Sequence, residues 1–401
     1  MSGLGPRGRP LRAALLFTVA LALAALLLGV GRSASLVSGV QIRFAGQRQI
    51  VFNWRAQACE PNQVADLPAR AFRDDRGRTQ LLLSHFDNFR MIGPSLDRLH
   101  VDCGPVMVSA DNSNPAAYRD REWIASPYTE DGRHIWALVH DEYQGNRHPG
   151  KCPQGSYYRC WYNAITLAQS NNAGRSFRPI PAPKGLIASA PYPYQPGIGP
   201  AGVFAPSNLI KRGDGYLYAL VQVHRPGTPH GACLIRSPRI ADAGSWRAWN
   251  GGGFGGVFTD PYRSPAHSGT DCEFIALREI ADMTESLTFN TELKRYLLVG
   301  MAPSAEPTTG RYGTGIYYSV SKDLIHWSQR RLLLEAPTIH SYHCGGPSPI
   351  AYPSVIDPSS HSPTFATSGR HPYLYFTQFR YRHCRLSPDR DLMRIRVEVA
   401  G

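Results

Sequence analysis

Apolar residues along this chain come in short runs, and the runs are paired across polar turns. The first pair is Pro68 to Phe72 and Gln80 to His85, around Asp74-Asp75-Arg76-Gly77. The second is Trp123 to Ser126 and Ile135 to His140, around Glu130-Asp131-Gly132. The third is Ala205 to Ile210 and Tyr216 to Val221, around Gly213-Asp214-Gly215. The fourth is Ser286 to Phe289 and Tyr296 to Val299, around Glu292-Leu293-Lys294. The fifth, Tyr352 to Ile356 and Tyr373 to Phe376, is split by a longer insertion. Asp-Gly turns suit hairpins because both residues tolerate the positive φ of a tight turn. Each pair therefore predicts two antiparallel strands, buried between neighbouring sheets.

Outer hairpins follow several units. Ile165 to Ala168 leads into Ser170 to Phe177, Leu234-Ile235 into Ser237 to Trp246, and Ile316 to Tyr318 into Ser319 to Trp327. In each, a serine ends one strand and an aromatic opens the next, which is structural punctuation. Repeated units of about four strands predict an all-β fold, a five-bladed β-propeller. The blades are expected near residues 60–110, 118–182, 200–250, 273–335 and 345–398, within one domain spanning 36–401.

The N-terminus departs from this pattern. Arg7, Arg9 and Arg12 precede an uncharged apolar run from Ala13 to Val30, with Ser33-Ala34-Ser35 behind it. Residues 1–35 are expected to be a signal peptide or a membrane anchor, delivering the rest outside the cytoplasm. Eight scattered cysteines without CxxC spacing favour disulfides over zinc sites. The blade layout favours Cys59 with Cys103, Cys152 with Cys160, Cys233 with Cys272, and Cys344 with Cys384. A formal charge of +13 is compatible with an anionic polysaccharide partner, or with ordinary surface charge. No Lys/Arg block or RNA-binding signature points to nucleic acid, and membrane contact is expected only if the N-terminal helix is retained.

Three motifs carry a family resemblance: Asp66-Leu67-Pro68, the turn Gly213 to Tyr218, and Ser321-Lys322-Asp323-Leu324-Ile325-His326-Trp327. With them the chain resembles the five-bladed propeller glycosidases, the superfamily of arabinanases and β-xylosidases and of invertases and levansucrases. Asp66 matches the opening Asp of the arabinanases, which implies a general base. Ser170 to Phe177 resembles a sialidase Asp-box, with Asn172 at the Asp position. There is one departure. Where the arabinanase pattern has a catalytic Glu at the third inner strand, this chain has Gly202-Val203-Phe204-Ala205-Pro206.

Propeller geometry also places candidates independently of the family. Inner-strand starts and second-strand ends share one face. Asp66, Glu122 (after Asp120) and Glu285 mark the starts; His85, His140 and His224 mark the ends. His85 and His140 each lie eight residues past their turn glycines, Gly77 and Gly132. Asp141 and Glu142 follow His140. Glycoside hydrolysis needs two carboxyls across the scissile bond, and crowding supplies one protonated and one ionised form. The catalytic candidates are thus Asp66, Glu122, Asp141, Glu142 and Glu285. His85, His140 and His224 are candidate ligand contacts or metal ligands. Trp123, Tyr128 and Tyr143 offer rings to stack on a sugar. Asp271 and Glu273, behind a loop carrying His267, are either site or rim groups. No cofactor is required by this chemistry; a structural calcium on the axis suits the fold, although no ligand spacing announces it.

The expectation is an exported carbohydrate-active propeller, hydrolysing an extracellular or envelope polysaccharide through paired carboxylates. The alternative is a non-catalytic propeller that binds glycans or an envelope component, motivated by Phe204.

Overall fold

Five antiparallel meanders account for nearly every strand of the computed structural model, the second and third joined by parallel pairing of Ala201–Phe204 with Trp161–Ser170; it describes residues 39–153, 155–264, 272–303 and 313–401. The signal or anchor segment, His267 and Asp271 lie outside the described residues. In the first sheet, Arg70–Arg73, Thr79–Leu83, Asp87–Gly93 and His100–Val108 pair in sequence order. In the second, Arg121–Tyr128, Ile135–Gln144 and Trp161–Ser170 are edged by Arg178–Ile180. The third sets Ala201–Phe204 and Ile210–Lys211 against Leu217–His224, followed by Gly231–Ser237 and Arg247–Ala248. The fourth comprises Ser286–Asn290, Arg295–Pro303, Thr314–Ser321 and Arg331–Glu335. The fifth comprises Ile350–Ile356, Tyr373–Arg382 and Arg385–Ala400.

The fifth sheet is completed from the other end of the chain. Gln41–Phe44 and Gln49–Phe52 pair with Arg385–Ala400, covering an edge that would otherwise present unpaired backbone. Nothing in the strand repeat assigns residues 41–52 to a blade.

Inner strands touch around a ring. Asn88 Oδ1 accepts from the Ile124 amide at 2.7 Å, and the Ser126 hydroxyl bonds the Ser207 carbonyl. Asn208 Oδ1 accepts from Leu287 N at 3.2 Å, and Ser286 Oγ from Val355 N at 2.8 Å. Arg70 Nη1 then reaches Ser354 Oγ at 3.2 Å, which closes the circle from fifth sheet to first. Small polar side chains suit this role, since buried backbone groups at strand ends must still find partners. The molecule is a β-propeller.

Apolar cores fill the spaces between sheets. Leu81, Leu83, Phe89 and Tyr375 lie together in one, and Leu138, Ile165, Val221 and Cys233 in another, all essentially fully buried. The outer-hairpin turns are structural. Asn172 Oδ1 accepts from Ser176 N at 3.1 Å, Asp323 Oδ1 from His326 N at 2.8 Å, and Trp327 Nε1 donates to Leu324 O at 2.9 Å. Disulfides join Cys59 to Cys103, Cys152 to Cys160, Cys233 to Cys272 and Cys344 to Cys384. Each closes a loop of the chain, restricting the unfolded state by typically about 2–4 kcal/mol per bond.

Candidate functional site

Strand pairing places inner-strand starts beside second-strand ends. The Asp66 amide bonds Ser84 O at 3.0 Å, Glu122 pairs with Asp141, and Gly202 pairs with His224. At this end of the ring opens a cavity of about 620 Å³, a volume typical of small-molecule sites. Asp66, Glu142 and Glu285 reach it from the first, second and fourth sheets, with His85, His140 and His224 beside them.

Asp66 is held from two sides. Its Oδ1 is in an ion pair with Arg390 and lies 3.3 Å from the Tyr352 hydroxyl, while His85 Nε2 is 3.6 Å from Oδ2. Burial lowers the proton affinity of His85, with the Asp66 charge opposing. Burial, reinforced by the Asp66 charge, pushes Tyr352 well above the usual phenol range, so it remains a hydrogen-bond donor.

Side chains alternate along a strand, so His140, Glu142 and Gln144 share the cavity side of Ile135–Gln144. The Glu142 carboxylate accepts from the Tyr157 hydroxyl and from Gln144 Nε2 at 2.8 Å. His140 Nδ1 accepts from the Ala205 amide at 3.1 Å, and Asn163 Nδ2 lies 3.1 Å from the ring's Nε2. That nitrogen lies 3.5 Å from Glu142 Oε2.

Glu285 lies against the backbone of its own sheet. Its carboxylate accepts from Thr284 N at 3.0 Å and Met301 N at 2.9 Å. A Cβ on Gly300 would fall 2.3 Å from Glu285 Oε2, so the glycine makes this approach possible. Burial, only partly offset by these amides, pushes the Glu285 pKa up from 4.5 to about 7. Arg70 is bonded to the Glu285 carbonyl oxygen and fixes the strand from behind.

Five sequence candidates do not face the cavity. Asp141 and Tyr143 take the opposite side of the strand from Glu142, and Glu122 pairs across from Asp141. Glu122, Asp120 and Asp141 form a buried acidic group under the second sheet. Arg119 Nε is 2.8 Å from Glu122, His148 Nε2 is 3.0 Å from Asp120, and the Asp120 amide donates to Asp141 at 3.1 Å. Burial raises all three carboxyls, and Asp141 is pushed well up because Glu122 and Asp120 add their charges. Tyr143 stacks on His148 at 5.4 Å and donates to Ser113 O at 3.0 Å. Tyr128 closes the far end of its strand, its hydroxyl on Glu130 at 2.7 Å. Glu273 likewise does not line the cavity.

Trp123 does line it, held edge-on between His85 at 5.8 Å and His140 at 5.7 Å. Phe204 sits where the family pattern wants an acid, stacked on His224 at 4.1 Å. Other wall residues have no signal in the strand repeat. Tyr157 and Trp161, stacked at 4.9 Å, come from the loop closed by Cys152 and Cys160 and the strand that follows it. Arg390, the ion-pair partner of Asp66, belongs to the long last strand, and the wall residues His230, Asp282 and His340 to connections between strands.

No protein-family model and no curated protein matches this chain. Among solved structures it is similar to a protein of unknown function from Dyadobacter fermentans, at 9% identity and a TM-score of 0.51 over 90% of this chain and 100% of that one. It is also similar to RS223 β-xylosidase, at 13% identity and TM-score 0.48 over 88% of this chain and 94% of that one. The catalytic domain of an α-L-arabinofuranosidase from Coprinopsis cinerea follows at 10% identity and TM-score 0.47, over 88% and 97%. At 9% identity the first likeness is one of fold.

Proposed function

We propose that this protein is an exported glycoside hydrolase acting on an extracellular or envelope polysaccharide, with Glu285 as general acid and Asp66 as its carboxylate partner. The observation that carries the reading is the pair of unlike environments at one cavity. Glu285 has its pKa raised to about 7, whereas Asp66 is in an ion pair with Arg390. Hydrolysis needs that division of labour, a proton for the leaving oxygen and an anion for water or the anomeric carbon. Glu142, near His140 and bonded to Tyr157, shapes the field around them. Trp161, Tyr157 and Trp123 supply apolar faces for a sugar ring.

Residues 36–401 act as one propeller domain in this proposal, and residues 1–35 direct export. Four disulfides support delivery to an oxidising compartment. The test is a panel of plant and bacterial envelope polysaccharides assayed for new reducing ends. Release by the wild type, lost in Glu285→Gln and in Asp66→Asn with the fold intact, supports the proposal. Saturable glycan binding without release points instead to a binding propeller.

A further inference from the structure

On the wall formed by the third and fourth sheets, three potential ligands converge without any carboxylate–arginine pairing of the kind that holds Asp66. His224 ends strand Leu217–His224, His230 precedes strand Gly231–Ser237, and Asp282 lies just before strand Ser286–Asn290. One ligand atom from each lies within 4.8 Å of the others. His224 is only 8% exposed, and neither ring nitrogen has a hydrogen-bond partner among the described residues. A buried imidazole with both nitrogens idle is costly, since each polar group gives up its hydration without a replacement partner. The same ring is stacked between Phe204 at 4.1 Å and His230 at 3.4 Å.

We propose that His224, His230 and Asp282 bind a divalent transition-metal ion of the zinc type, at the edge of the cavity. Two imidazoles and one carboxylate are a donor set for zinc rather than calcium, which prefers about six to eight oxygens. Tetrahedral zinc with ligands near 2.0–2.2 Å sets its donor atoms about 3.4 Å apart. Closing the present spacing takes the exposed His230 off its stack on His224, because an imidazole donates in its own ring plane. Asp282 is oriented by Gln222 Nε2 at 2.6 Å, the outer support that metal-binding carboxylates commonly have. His340 lines the same cavity but lies outside the three-residue cluster. If His340 stays off the ion, one coordination position faces the cavity, the arrangement of catalytic zinc sites.

The site is independent of the hydrolase reading, because its test needs no substrate. Tag-free protein is stripped with chelator, dialysed, and titrated calorimetrically with Zn²⁺ and separately with Ca²⁺. One Zn²⁺ per chain is expected, with Ca²⁺ bound at least about a hundredfold more weakly. His224→Gln is expected to abolish tight binding. Because His224 is buried, His230→Gln and Asp282→Asn are measured beside it, and each should weaken Zn²⁺ binding at least about tenfold. Absence of stoichiometric Zn²⁺ binding, equal affinity for Ca²⁺, or binding indifferent to both His230→Gln and Asp282→Asn overturns the proposal.

Discussion

The two walls of the cavity are made from opposite chemistry. On the side of the first, second and fifth sheets, each acid has polar partners within the chain: Asp66 has Arg390, Tyr352 and His85, and Glu142 has Tyr157 and Gln144. On the side of the third and fourth sheets the pattern reverses. His224 has idle nitrogens, and Glu285 has backbone amides but a proton affinity raised by burial. A wall with satisfied charges holds a fixed field. A wall with unsatisfied groups has chemistry left to do, as a proton donor or a ligand. Under the proposed hydrolase reading, catalysis belongs at the junction between them.

The largest effect is expected from Glu285→Gln. The amide keeps the shape and one of the two backbone hydrogen bonds but cannot donate the acidic proton, so kcat on a cleaved polysaccharide should fall about 10²–10⁴-fold. Unchanged turnover would break the distinction between the walls. Asp66→Asn removes the anion and leaves Arg390 without its counter-charge. Turnover should drop by a comparable factor, and chemical denaturation should show a loss of about 3 kcal/mol.

Stability against pH gives a smaller and more specific signal. The Glu285 carboxyl titrates near 4.5 in isolation and near 7 in the folded protein. Between those values the folded state holds a proton that the unfolded chain has released. Stability contributed by this group is therefore present below about pH 4.5 and declines as pH rises through about 7. In Glu285→Gln that share of the decline should vanish, as read by urea midpoints across the range. The smallest effect on turnover is expected from Glu122→Gln, within about twofold, because this acid faces away from the cavity. Its cost should appear instead as a lower Tm, since Arg119 loses a buried ionic partner.

Much of the ring is legible in the sequence. Paired apolar runs around Asp-Gly turns mark where inner strands begin and end, and Asp66, His85, His140, Glu142, His224 and Glu285 all reach the cavity from those ends. Two things are not legible. Facing depends on strand register, and a one-residue step sends a side chain to the other surface; Asp141 beside Glu142 shows the consequence. Long-range closure also leaves no local signal. Gln41–Phe44 completes a sheet whose other main strands lie about three hundred residues later, and Arg390 reaches Asp66 across 324 positions. Tyr157 and His230 sit on connections whose paths follow from the packed blades rather than from an apolar period.

The most direct test is the pH dependence of kcat/KM on a cleaved polysaccharide, measured for the wild type from about pH 4 to 9. With Glu285 protonated at its raised affinity, activity should hold below neutrality and fall about tenfold per unit above a midpoint near 7. A profile that keeps rising through about pH 8, or the same profile from Glu285→Gln, would contradict its assignment as the acid.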